Sequence, residues 1–423
     1  MNQILRNKKI RQCVLRAYKL LLAMIIIDPL LGKYCPNTTI LRLTELSCFL
    51  GAIYYTLRLY QLKAIARYGN FTKFLYMMLA IIAISIIARA EFPTKQSDWG
   101  LFLVSKSGIL AYVVPFLLLL MPNRTFFVDI IKLFFKASLF VLPIWLINIS
   151  DLVQDDYHGE GIGVFLPFFS AFLLSLTGLF SKKEKLLTWF IWSVYLLLML
   201  LNARRNVTFT LVLYGCFSYL MTLLEDWKRK PIKVSMIVIF SVLALLLIQL
   251  NMENLTSGAF SRMSHRANED TRSGVEELFF ADFATSPPED FIFGRGMDGG
   301  YFQIVKNLDT GEETDNRKGI ETGYLHLILK GGLVYAICVV LIILNAIGCA
   351  RKDKNAIVSR YFIMVMLSYL IDLYTTAPIC SYMPRTIIFW FVVGVMTQRK
   401  VNFDMLIDSN LRYGKCKFFK QSV

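Results

Sequence analysis

The chain has 423 residues, 56% of them hydrophobic and only 18% charged, with a mean hydropathy of +0.53. A soluble domain usually carries about 25% charged residues, so these proportions exclude an ordinary soluble enzyme and point to a polytopic membrane domain. The net charge of +16 does not mark a nucleic-acid partner, because the basic residues are dealt out between apolar runs instead of gathering on one solvated face.

The basic start, MNQILRNKKIRQCVLRAYK, resembles a signal region, but the apolar stretch behind it runs into Asp28-Pro29 without a small-residue cleavage site. It reads as a retained first span. Apolar runs then fall near 17–32, 40–57, 71–88, 101–121, 133–150, 162–180, 186–201, 207–224, 234–250, 324–348, 357–375 and 385–397. A bilayer-crossing helix needs ~20 apolar residues, and the runs predict an all-α polytopic protein of about twelve transmembrane helices. Arg42 and Glu45 interrupt the second run, but their i,i+3 spacing puts them on one face, where they can pair inside a bundle. The eight cysteines form no CxxC pair, so neither a disulfide framework nor a zinc site is expected and no cofactor is called for.

Charge patterning orients the spans. Lys and Arg collect in alternate loops on the cytoplasmic side, and 30 of the 46 fall in the segments Arg6 to Lys19, Arg58 to Lys73, Arg124 to Lys136, Lys182 to Lys185, Lys228 to Lys233, Arg351 to Arg360 and Arg399 to Lys420. Both termini are therefore expected in the cytoplasm, with the basic tail on anionic headgroups of the bilayer. The organisation that follows is 1–250 as spans one to nine, 251–323 as an extracytoplasmic loop or cap, and 324–423 as spans ten to twelve with the cytoplasmic tail.

The connector Asp151 to Glu160 is short and acidic, a solvated link. The loop of 251–323 is far longer than an ordinary connection, and such loops are either functional or disordered. Phe279, Phe280, Phe283, Phe291, Phe293, Tyr301 and Phe302 supply aromatic surface that can fold back on the bundle, which predicts a small, partly helical cap.

Four segments carry candidate chemistry. In the turn Asn202-Ala203-Arg204-Arg205-Asn206, two arginines lie at the outer end of spans seven and eight, against the charge rule. They either snorkel at the interface or use their planar forks on a phosphate group. In the stretch SRMSHRANEDTRSG, Arg262, Arg266 and Arg272 form a local basic cluster in a loop whose balance is seven Lys or Arg against fourteen Asp or Glu. Arg262 and Arg266 are either a solvated helix face or an anion site, and Arg272 is the favoured functional residue. The stretch Phe293-Gly294-Arg295-Gly296-Met297-Asp298-Gly299-Gly300 predicts a tight turn, its glycines serving positive φ and close packing. A phosphate cradle is the weaker reading, since no strand precedes it and no Lys-Ser/Thr follows.

The fourth segment, Glu321-Thr322-Gly323-Tyr324-Leu325-His326-Leu327-Ile328-Leu329-Lys330-Gly331-Gly332-Leu333, leads from the loop into span ten. Glu321, Tyr324, Leu325, Ile328 and Gly332 share a helical stripe, which holds a carboxylate at the outer mouth of the bundle. There Glu321 is either a general base with a pKa raised by partial desolvation or a first-turn acid stabilising the helix N-terminus. His326 is either a satisfied buried histidine or a substrate-side residue.

In this order of parts the chain resembles the O-antigen polymerase and O-antigen ligase superfamily of bacterial surface-glycan enzymes. The resemblance rests on a large loop between spans nine and ten, the Arg204-Arg205 turn before span eight, Arg262 to Arg272 in the loop, the Gly294-Arg295-Gly296 turn and a YLxxLxxxGL-type start of span ten at Tyr324 to Leu333, and it covers roughly residues 160–400. Ligases of the family typically place a histidine three residues before that tyrosine, where this chain has Glu321, which favours a polymerase. The resemblance implies transfer of a glycan from a polyprenyl-diphosphate carrier to a sugar hydroxyl at the outer face of the inner (cytoplasmic) membrane, without metal, and a possible chain-length-regulating partner. Glu321 is then the expected base, Arg205 and Arg272 the residues that stabilise the departing diphosphate, and Arg204, Arg262, Arg266, Arg295, Tyr324 and His326 the residues around the substrate. A ligase-type transferase and a transporter of lipid-linked oligosaccharide or polysaccharide are the alternatives. Interior charges such as Lys106 and Asp372 suit transport, whereas the lack of a visible counterpart of the long loop in the first half counts against an inverted repeat.

Overall fold

A computed structural model of the chain describes residues 3–34, 38–94, 99–105, 107–147, 167–176, 180–201, 205–227, 273–306, 313–352, 357–375 and 382–399. It is mostly helical. The chain divides into two units, Met1–Ala137 with Thr271–Lys415, and Ser138–Asp270 with Cys416–Val423. Among the described residues, four stretches are long and apolar enough to cross a membrane: Thr39–Gln61, Asn70–Ala88, Phe102–Leu120 and Gly323–Arg351. The apolar run of 234–250 lies outside the described residues.

In the first unit, α1 (Gln3–Tyr34) and α2 (Thr38–Gln61) form a pair. Arg6 near the start of α1 donates to the Leu62 carbonyl just beyond α2 (2.8 Å), so the two run antiparallel. The inward face of α1 is Ile10, Val14, Ala17, Tyr18 and Leu21, a 3.6-residue repeat. Arg42 and Glu45 pair as their spacing predicts, at 2.8 Å with Glu45 buried. The helix α3 (Asn70–Ala88) follows, and then the fourth apolar run, which is broken into α4 (Trp99–Val104) and α5 (Ile109–Leu120). The helix α6 (Phe127–Ile147) completes the first half of the chain in this unit through its residues up to Ala137.

The centre of this unit is α14 (Pro384–Thr397), every residue of which is buried. Such a helix is apolar all round and belongs to the interior of a bundle. Its Phe391 ring meets Tyr18 (6.1 Å) and Phe134 (5.4 Å) edge-on and stacks on Phe127 (6.2 Å). Because lipid tails are as apolar as these side chains, such packing and internal hydrogen bonds, more than water exclusion, hold the helices together. Alongside it run α12 (Gly323–Arg351) and α13 (Ile357–Thr375). Asp372 of α13 pairs with Arg385 of α14 at 2.6 Å, both buried.

The second unit contains α7 (Pro167–Ser175), α8 (Lys182–Leu201) and α9 (Arg205–Trp227). The sequence Ser181-Lys-Lys-Glu184 starts α8 as a capping box: the Ser181 amide donates to Glu184 (2.8 Å) and the Glu184 amide donates to the Ser181 hydroxyl (3.5 Å). Gly215 of α9 leaves room for the Trp192 indole, whose Nε1 donates to the Leu211 carbonyl at 3.0 Å.

Between α9 and α12 the described part of the long loop folds as α10 (Ser273–Thr285), α11 (Pro288–Phe293) and a two-stranded antiparallel hairpin, β1 (Tyr301–Lys306) with β2 (Glu313–Arg317). Tyr301 pairs with Arg317 and Lys306 with Glu313, with an irregularity between Phe302 and Val305. Pro288 stands in the first turn of α11, where its missing amide hydrogen costs nothing.

Candidate functional site

The cap is anchored by α10. Phe279 and Phe283, four residues apart on one helix face, are buried with Tyr301, Ile320, Leu325, Ile328 and Leu329 in one apolar cluster between the cap and the first turns of α12. The other expected aromatics, Phe280, Phe291, Phe293 and Phe302, stay exposed. The fold-back predicted from the sequence is therefore made by three of the seven aromatics.

Below this cluster the Gly294 to Gly300 turn is locked into a break in α12. Gly332 leaves helical geometry (φ 73°, ψ −177°), a region essentially confined to glycine. In a continuous helix the Leu329 and Lys330 carbonyls accept from amides four residues on; here they accept from Arg295 (2.8 Å) and Gly296 (3.1 Å). The turn's amides thus satisfy the carbonyls that the break releases. Gly294 (φ 75°) and Gly296 (φ 84°) take the positive angles expected of them. A Cβ on Gly294 would come within 2.5 Å of the Gly331 nitrogen, and one on Gly296 within 2.7 Å of the Arg89 side chain.

Side chains from two helices close the lock. Arg89, which caps the C-terminus of α3, donates to the Gly294 carbonyl (2.7 Å) and lies over the Phe293 ring (5.8 Å). The buried Lys330 ammonium donates to the Met297 and Gly299 carbonyls at 2.8 and 2.9 Å. Asp298 Oδ2, on the same turn, is buried without a hydrogen-bond partner among the described residues.

Arg295, expected beside the substrate, turns its fork into the cap. Its Nε donates to Asp290 (2.9 Å), and its Nη1 to Asp282 (2.5 Å) and the Gly300 carbonyl (2.6 Å). The Nη2 donates to the Ser286 hydroxyl, and the group lies 4.4 Å from the Phe283 ring centre. A guanidinium has five N–H groups, so most of this one's donor capacity is used in holding α10, α11 and β1 together.

At the start of α12 the helix begins later than the predicted stripe. Thr322 is the N-cap, and Glu321 stands one residue outside the helix, exposed. Glu321 is therefore not a first-turn acid. The Thr322 hydroxyl donates to Glu276 of α10, so it makes no cap bond to the helix. Tyr324 is half-buried, packs against the apolar cluster and stacks on Tyr374 at 6.3 Å. His326 is buried; its Nδ1 lies 3.1 Å from the Ile320 carbonyl, which can only accept, so Nδ1 carries a proton. Its Nε2 is buried without a partner among the described residues. On the hairpin, burial pushes the Tyr301 phenol up, and the adjacent Arg317 pulls part of that back.

The structure thus brings Glu321, Tyr324, His326 and Arg295 together with the cap. Arg205 is the first residue of α9, its side chain outside the described part, and Arg204, Arg262, Arg266, Arg272 and Lys106 lie outside the described residues. Among the described residues there is no group of three or more His, Cys, Asp or Glu placed to hold a metal ion. Sequence reasoning missed Arg89, Lys330 and Glu276, which meet the turn and the N-cap only through tertiary contacts. The i,i+4 spacing of His326 and Lys330 in an apolar run was the one available signal for a buried cation. No family model matches the chain, and no curated protein matches it.

Proposed function

We propose that the protein is a membrane glycosyltransferase that joins polyprenyl-diphosphate-linked oligosaccharide repeat units into surface polysaccharide at the outer face of the cytoplasmic membrane. In this reading about twelve helices cross the membrane, both termini are cytoplasmic, and the cap lies outside. The supporting observation is that two motifs of the resemblance, about thirty residues apart in sequence, lie in backbone contact: Arg295 and Gly296 donate to the Leu329 and Lys330 carbonyls. Glu321 stands exposed just before the N-cap of α12, open to a solvent-borne sugar.

The chemistry is a single displacement. The acceptor hydroxyl passes its proton to the Glu321 carboxylate as its oxygen bonds to the anomeric carbon. The bond from that carbon to the diphosphate oxygen breaks, and polyprenyl diphosphate leaves with the electron pair. One displacement inverts the anomeric centre. The growing diphosphate charge needs cationic partners, a role that the resemblance assigns to Arg205 and Arg272.

The test is gel analysis of surface glycan together with extracted carrier-lipid oligosaccharides in a strain lacking the protein. Single repeats at the surface without a ladder are expected. Long polymer left on the carrier lipid would instead identify a ligase, and unpolymerised repeats confined to the inner leaflet a transporter.

A further inference from the structure

The helix α12 is longer than a membrane requires. Its 29 residues rise about 43 Å at ~1.5 Å per residue, whereas the hydrocarbon core is ~30 Å thick. Its neighbour α3 has 19 residues, about 28 Å on the same rise. The two helices are antiparallel and in register: Asn345 donates to Thr72 (3.0 Å), Cys338 Sγ lies 3.8 Å from the Leu75 carbonyl, and a Cβ on Gly331 would come within 2.8 Å of Ile86. Ile86, in the last turn of α3, therefore lies level with the break at Gly331 and Gly332. The first residues of α12, from Gly323 to Ile328 at most, extend beyond the end of its neighbour.

Exposure changes at that same level. From Leu325 to Gly332 every residue of α12 is buried, under the cap and against its neighbours. From the break onward an apolar stripe opens outward through Leu333, Ile337, Leu341 and Leu344, spaced as one helix face. The outward face of α3 carries Met77, Ile81 and Ile84 and stops short of Arg89. Immediately beside that end, tied to it by Arg89, sit Phe291, Ile292 and Phe293 of α11, with exposures of 37, 43 and 48%. Three consecutive large apolar residues left open next to the ends of two spans need a cover.

We infer that the bilayer boundary on the cap side runs through the break at Gly332, so that Phe291, Ile292 and Phe293 rest in the headgroup and upper acyl layer of the membrane while residues 323–331 of α12 stand outside it as part of the cap. The occupant of this apolar face is lipid. The span is then Gly332 to Arg351, about 30 Å of helix at ~1.5 Å per residue, a match to the hydrocarbon thickness. Aromatic side chains suit this depth, and Arg89 at the end of α3 reaches headgroup phosphate. The inference stands on helix register and exposure and does not depend on the proposed reaction.

The test uses the full chain in nanodiscs of phosphatidylcholine and phosphatidylglycerol, with Phe291→Trp, Phe293→Trp, Leu333→Trp and Asp315→Trp made separately. Fluorescence is read as the difference from the native chain, whose six tryptophans are common to all samples. Acyl-brominated lipid should quench the tryptophans at 291, 293 and 333 and leave the one at 315 on the hairpin unaffected, while aqueous iodide should do the reverse. Tryptophans at 291 and 293 that follow the hairpin control, or that are shielded from both quenchers, would overturn the inference, the latter result meaning a protein cover. Because the two variants in α11 keep an aromatic ring, monodisperse elution of either suffices for the reading.

Discussion

Gly294 of the cap and Gly332 of α12 meet backbone to backbone, so closely that a Cβ on Gly294 would come within 2.5 Å of the Gly332 nitrogen. Both have positive φ, and a Cβ on Gly332 would overlap the Ile292 carbonyl. No flexible side chain is available to move aside. Gly332→Ala is expected to cost ~1–3 kcal/mol from the backbone conformation alone, with the overlap added, and to expel the turn. Heat-inactivation half-life and protease sensitivity of the cap should both worsen, whereas Gly348→Ala, where a Cβ meets nothing within 4 Å, should match the native chain. Equal behaviour of the two variants would refute the interlock.

Lys330 holds the same turn from below. Lys330→Met keeps the stem but orphans the Met297 and Gly299 carbonyls, at roughly 1–3 kcal/mol per buried group. Hydrogen exchange should show faster exchange of the 295–300 amides with little change in α3. Unaltered protection would mean that Arg89 and the glycines hold the turn unaided.

Arg295 separates a structural role from a substrate role. If its fork serves Asp282, Asp290 and Ser286, Arg295→Ala leaves two partly buried carboxylates without their cation, and breaking such pairs costs up to ~3–5 kcal/mol when burial is complete. The expected result is lower membrane abundance and a protease-sensitive cap. Normal abundance with lost glycan polymer would return Arg295 to the substrate.

Asp372, an interior charge that by itself suits transport, has a structural account in its 2.6 Å pair with Arg385. Asp372→Asn should destabilise the bundle by roughly 3–5 kcal/mol, because it leaves a buried guanidinium uncompensated. The exchange Asp372→Arg with Arg385→Asp should recover part of the loss in thermal stability. No recovery would assign the charge to a function other than this pair.

Glu321 is exposed outside the helix, so Glu321→Gln should change stability by no more than ~0.5 kcal/mol. It should nevertheless abolish chain extension at normal protein levels, read as loss of the polymer ladder. An unchanged ladder would remove the base assignment. Arg205→Ala with normal levels and full polymer would likewise sink its assignment to the diphosphate.

The sequence by itself determined the features set by local pattern. Among the described residues, apolar runs became helices because 3.6-residue periodicity and span length are local properties, Arg42 and Glu45 paired because three residues on a helix are neighbours, and the glycine-rich turn took positive φ at Gly294 and Gly296. Only the tertiary structure decided what those parts meet. It inserted the turn into a break in α12 about thirty residues further on, turned Arg295 inward onto Asp282 and Asp290, and buried Lys330 beneath carbonyls of another segment. It also tied the Thr322 hydroxyl at the N-cap of α12 to Glu276 of α10, a residue some forty-six positions away. Hydrogen bonds and charge pairs between distant segments leave no periodicity in the chain, so the partners of a buried cation emerge only when the helices are packed.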